Sequence, residues 1–114
     1  MIASGVVVYV SCQPVDFRKG AASLMALVRD GGLDPFNGAL YVFRSKRADR
    51  IRIVWWDGSG VCLYSKTLED QGFCWPGISA ARIRLDHSQL MALLAGMDWK
   101  KIRPTKARRP LLTG

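Results

Sequence analysis

Residues 39–66 read ALYVFRSKRADRIRIVWWDGSGVCLYSK, three apolar runs separated by two polar connections. The runs ALYVF (39–43), RIRIVWW (50–56) and VCLYSK (61–66) are rich in β-branched and aromatic residues, which read as strands. RSKRAD joins the first two, and DGSG (57–60) is tight hairpin chemistry between the second and third. The stretch therefore predicts an antiparallel meander. Along 50–56 alternate side chains share a face. Ile51, Ile53 and Trp55 form the expected core face, which leaves Arg50, Arg52, Val54 and Trp56 on the other.

The flanking sequence adds two strands and two helices. VVVYV (6–10) reads as a buried strand broken by CQP. Phe17, Ala21, Leu24 and Val28 then recur at helical spacing, with Asp16 as the expected N-cap and Gly31-Gly32 as the stop. Arg18, Lys19 and Arg29 fall off that face and are expected to point to solvent. DPFNG (34–38) is a turn, FCWPG (73–77) an aromatic anchor ended by proline, and RIRL (82–85) a short strand. Asp86 and Gln89 have the spacing of a capping box, followed by the apolar stripe Leu90, Leu93, Leu94 and Met97. After Trp99, KKIRPTKARRPLLTG has six basic residues, no acid and no periodicity. The expected organisation is a single α+β domain over 1–99, a small and mainly antiparallel meander with two packed helices. A solvated, disordered basic tail is expected over 100–114.

Composition narrows the function. The chain has 114 residues, 49% of them apolar, enough for one domain with a real core. Seventeen Lys and Arg against nine Asp and Glu give a formal charge of +8, which favours polyanionic partners. Three cysteines without a CxxC pair and a single histidine, His87, argue against a structural zinc site and fit a reducing cytoplasm. The apolar start has no basic residue ahead of a short run, which argues against an export signal. No run reaches the ~18 apolar residues of a membrane span.

Catalytic signatures are missing from the sequence. There is no P-loop, and the glycines of DGSG lie between strands, with no helix N-terminus to meet a phosphate. His87 reads as a first-turn surface residue and the cysteines as small hydrophobes. Asp16, Asp57 and Asp98 each have a local cap or turn role, and no motif predicts the converging carboxylates of two-metal chemistry. The expectation is a protein with no catalytic residues, no cofactor and no metal.

The strongest signal is the basic connection beside the aromatics. Arg44, Lys46, Arg47, Arg50 and Arg52 crowd into nine positions, with Trp56 on the same strand and Tyr64 and Lys66 expected to join from the next. Lys and Arg neutralise phosphates, and an open aromatic face stacks on an unpaired base. The competing reading is an amphipathic sheet whose arginines merely cover Trp56.

The same residues carry a family likeness. PVDFRKG, LDPFNGALYVFRSKRADRIRIVWWDGSGVCLYSKTLE, FCWP and LMALLAGMDWK resemble the TnpB accessory proteins encoded by the second open reading frame of IS66-type bacterial insertion sequences. The resemblance runs in order from about residue 6 to residue 100. The family pattern is matched at Arg44, Arg47, Asp49 and Arg50 and at the Asp57, Gly58, Gly60 turn. It implies a non-catalytic accessory factor of transposition, made beside a separate transposase. The expected partners are DNA, at the element ends or as non-specific duplex, and proteins of the same element. The alternative it leaves open is an adaptor that holds the transposase without touching DNA. The chain reads DQGF where the family has a basic run between Glu69 and Trp75, so that segment is not expected to contact DNA. The RNA-guided nucleases that share the TnpB name are several times longer, and their activity does not transfer.

Overall fold

The computed structural model describes residues 5–18, 20–77 and 81–102. The expectations for Lys19 and for the basic tail from residue 103 fall outside these. Five strands form one sheet in the order β4-β3-β2-β1-β5. β2 (Leu40–Arg44), β3 (Arg50–Trp56) and β4 (Val61–Thr67) make the expected antiparallel meander. β1 (Val8–Pro14) adds to β2 in parallel, and β5 (Arg82–Leu85) closes the far edge antiparallel to β1. The fold is thus α+β with a mostly antiparallel sheet, and its single parallel pair comes from the β1-α1-β2 crossover.

β1 runs further than the sequence suggests. Cys12 N–H donates to Ala81 O, and Pro14 pairs with Arg44 across a register shift after Val10. The proline falls at the end of the strand, beyond an irregularity, where a missing N–H costs the ladder little.

α1 (Ala21–Asp30) starts later than the Asp16 cap implied. The Asp16 carboxylate is taken by Arg18, whose backbone N–H donates to it at 2.9 Å and whose guanidinium donates at 2.8–3.1 Å. Gly20 occupies the N-cap in extended conformation, with no side-chain cap. Phe17 therefore lies ahead of the helix, and the buried face is Leu24, Met25 and Val28. The Gly31-Gly32 stop is as expected: Gly32 adopts φ +89 and Leu33 N–H reaches back to Val28 O.

α2 (His87–Leu94) carries the predicted capping box. Gln89 N–H donates to Asp86 Oδ1 at 2.8 Å, and Asp86 N–H donates to Gln89 Oε1 at 3.1 Å. Leu90 and Leu93 are fully buried and Leu94 nearly so, whereas Met97 lies past the helix end and is exposed. A 3-10 turn over Trp99–Lys101 follows, and Ile102 packs on the same core.

The one-sided core expected for β3 is corrected. Ile51 and Ile53 pack with Val8, Val10, Leu40, Val42, Phe73, Trp75, Trp99 and α2 on one face. Val54 is equally buried on the other, among Tyr41, Phe43 and the Leu24, Met25 and Val28 face of α1. A sheet covered on both faces suits strands that are apolar on both, as the apolar run 39–43 leading through β2 is. Among the described residues no helix is long and apolar enough to cross a membrane.

Candidate nucleic-acid interface

The basic connection between β2 and β3 is a tightly tied loop. Ser45, buried within it, donates its N–H to Arg50 O, and its hydroxyl oxygen accepts Arg50 N–H, both at 3.2 Å. Ala48 N–H donates to Ser45 O at 3.1 Å. Ala48 itself adopts φ 66, uncommon for a residue with a Cβ, and turns its carbonyl to the aromatic anchor. That oxygen accepts Phe73 N–H at 2.8 Å and Trp75 Nε1–H at 2.9 Å. Gly72 passes so close that an added Cβ would lie 3.1 Å from the Ala48 oxygen. Trp99 Nε1 ties the same segment to the C-terminal turn through Cys74 O. The loop therefore presents its side chains from a fixed backbone.

Those side chains divide into two groups. Lys46, Arg47 and Arg50 are exposed at the rim. Arg44 is half-buried: its guanidinium lies 5.7 Å from the Trp75 ring and its Nε donates to Ser45 O. Arg52 is half-buried over Phe17, 4.9 Å from the ring centroid. These two arginines cover aromatic surface, but it is that of Trp75 and Phe17 and not the Trp56 of the competing reading.

Of the residues grouped with the loop cations, Trp56 keeps the face of Arg52 and Lys66 does not. Trp56 is half-buried in the α1-side cluster and meets the Phe36 ring at 90° and 5.3 Å. Lys66 pairs with Ile51, which sets it on the α2 face, opposite Arg52. Its ammonium donates to Leu94 O at 2.7 Å and caps the C-terminus of α2. Tyr64 pairs with Ile53 and shares that second face. Cross-strand register, which the alternation within one strand does not reveal, decides both placements.

What the sequence missed lies across from the loop. The residues after β1 form a second wall, and Val15, Asp16, Phe17 and Arg18 face Ser45, Lys46, Arg47, Asp49 and Arg50 over an open cleft of about 510 Å³. Hydrogen bonds from the Arg18 side chain, then from its backbone N–H, hold the Asp16 carboxyl well below the ordinary carboxylate range. Arg18 and Asp16 sit in the PVDFRKG motif, the available signal.

The remaining candidates have local partners. Asp57 accepts Ser59 and Gly60 N–H at 2.9 and 2.8 Å, which lowers its carboxyl to about 2. Asp98 accepts Lys100 N–H at 3.1 Å. Cys12 is buried, and burial raises its thiol. Among the described residues no three or more His, Cys, Asp or Glu gather as metal ligands.

Comparison with known proteins shows the family. Residues 6–104 match the family described as IS66 Orf2-like protein. Two relatives come from Sinorhizobium fredii (strain NBRC 101917 / NGR234). The uncharacterized protein y4jC is 40% identical over 107 residues, covering 93% of this chain and 92% of that protein. The uncharacterized protein y4hO is 35% identical over 117 residues, covering both chains completely. No solved structure matches. A match of this length, running from two residues before β1 past the 3-10 turn, takes in both walls of the cleft, and the chain belongs to the IS66 Orf2-like family.

Proposed function

We propose that this chain is a non-catalytic accessory protein for transposition of an IS66-type insertion sequence and that it touches DNA through the β2-β3 loop. Family membership supports the transposition role. The observation that carries DNA contact is the rigid loop presenting Lys46, Arg47 and Arg50 to solvent on a chain of charge +8. Anchoring of the Ala48 carbonyl by Phe73 and Trp75 means the loop backbone need not be ordered on binding, which leaves only side-chain ordering to oppose contact.

The test is a salt titration of duplex binding. Replacing Lys46, Arg47 and Arg50 together by Ala should flatten the log–log salt slope by roughly 0.9 per lost phosphate contact, so about 2 to 3 in all. The control ends the chain after Ile102, because Ile102 still packs on the core. Binding that vanishes in the truncated protein, with a triple variant of unchanged slope, assigns the contact to the tail and refutes the loop.

A second reading, an adaptor for the transposase, draws on β4. Asp57 N–H bonds Gly60 O and Leu68 N–H bonds Asp49 O, with bonded pairs alternating between them. Val61, Leu63, Ser65 and Thr67 therefore turn their backbone groups to the open side of the sheet. Val61 and Leu63 are also exposed, and residues 61–65 carry no charge. The opposite edge, β5, displays Arg82 and Arg84 instead. An uncharged edge with no neighbouring strand among the described residues is what a partner strand adds to. Leu63→Lys should block transposase association and spare DNA binding.

A further inference from the structure

The cleft between the two loops has a feature that the loop cations alone do not explain. Arg18 is 91% exposed at its side chain, yet its guanidinium is held in place. Asp16 takes its Nε and Nη2 donors at 2.8–3.1 Å. Nη1 makes no hydrogen bond among the described residues and is left, with the second Nη2 proton, on the outer edge of the fork. A guanidinium fixed on one side by a carboxylate keeps a pair of donors on the other, the arrangement that grips a phosphate in two-point fashion. Lys46, Arg47 and Arg50 stand on the facing wall of the same cleft.

The geometry points to a phosphodiester seat in this cleft, in which Arg18, positioned by Asp16, binds one backbone phosphate that Lys46, Arg47 and Arg50 approach from the other wall. The inference rests on the DNA-contact reading and adds a second wall to it. It also sets the character of recognition. Phe17, the aromatic residue lining the cleft, lies under Arg52, and Trp56 does not line it. Contacts limited to the backbone carry no base information. Binding at this seat is therefore indifferent to sequence.

Salt titrations of duplex binding by the full chain test the seat. Arg18→Ala should lower the slope by about 0.9, one phosphate. Arg18→Lys should restore the slope but not the affinity, because a point charge cannot make the two-point contact. Arg29→Ala, an exposed cation at the far end of α1, should change nothing. Since Arg18 is at the surface, its variants should unfold at the wild-type denaturant midpoint, which separates lost contact from lost fold. If the Lys46, Arg47, Arg50 triple variant flattens the slope while Arg18→Ala behaves as Arg29→Ala, the seat is wrong and the loop stands. If neither moves the slope, or the wild type does not bind DNA, the loop reading falls and the seat with it. Inorganic polyphosphate that binds as tightly as DNA of equal charge, with the same dependence on Arg18, would overturn the assignment to nucleic acid.

Discussion

Lys66→Met separates what the strand pattern suggests from what the fold does with the residue. The pattern puts Lys66 among the DNA-binding cations. In the structure its stem runs along the α2 face beside Ile51, and its ammonium donates to Leu94 O at 2.7 Å. Methionine keeps most of the stem and removes the donor. A charged hydrogen bond contributes about 1.5–3 kcal/mol when the acceptor is left with nothing. The last carbonyls of a helix can recruit water, and Lys66 is itself partly exposed, so the lower end applies. The helix-dipole attraction at an exposed end adds about 0.3–1 kcal/mol, part of which is already in the hydrogen bond. A loss of about 1–2 kcal/mol follows. For a domain of this size each kcal/mol corresponds to roughly 4–8 °C in Tm. Urea unfolding measures the stability and a salt titration of duplex binding measures the contact. The expected pair of results is a lower midpoint and an unchanged salt slope. A slope reduced by about 0.9 with the midpoint unmoved would refute the structural assignment and return Lys66 to the DNA surface.

Further expectations follow from the core, the anchor and the turn. Leu93→Ala, at a fully buried position of α2, should cost about 2–5 kcal/mol in denaturant unfolding, and more than Leu94→Ala at the rim of the same cluster. Ala48→Val should destabilise by about 1–3 kcal/mol, because a β-branched side chain fits φ 66 poorly. It should also weaken duplex binding, since the loop backbone that holds the cations is strained. Asp57 has a depressed carboxyl, so its contribution is complete above the ordinary value of 3.8 and fades as pH falls towards about 2. The stability gap between wild type and Asp57→Ala should accordingly narrow over that window, and a gap constant from pH 7 to 2 would show that the turn does not depend on the charge.

Much of the fold was legible because it is local. The turn residues at 57–60 and the alternating runs around them specify a meander whatever lies elsewhere, and β3 and β5 match their predicted spans residue for residue. The α2 capping box was equally plain, since its two partners are three residues apart. The α1 start was misread for the same local reason: Asp16 is good cap chemistry, but Arg18, two residues on, captured its carboxylate. The strand then ran on to Pro14 and the helix waited until Gly20.

Charge, the strand runs and the family motif were the sequence's own contribution, because composition and short-range pattern suffice for each. The arrangement in three dimensions decided the rest. Parallel insertion of β1 beside β2 sets the β1-α1 connection against the β2-β3 loop, and that alone brings Arg18 opposite Lys46, Arg47 and Arg50. Register between β3 and β4 sends Lys66 to the α2 side, and helices on both faces bury Val54 that alternation had put outside. Within one strand, alternation shows only which side chains share a face. Which partner strand lies alongside, and what covers each face, is settled by contacts between residues far apart in the chain.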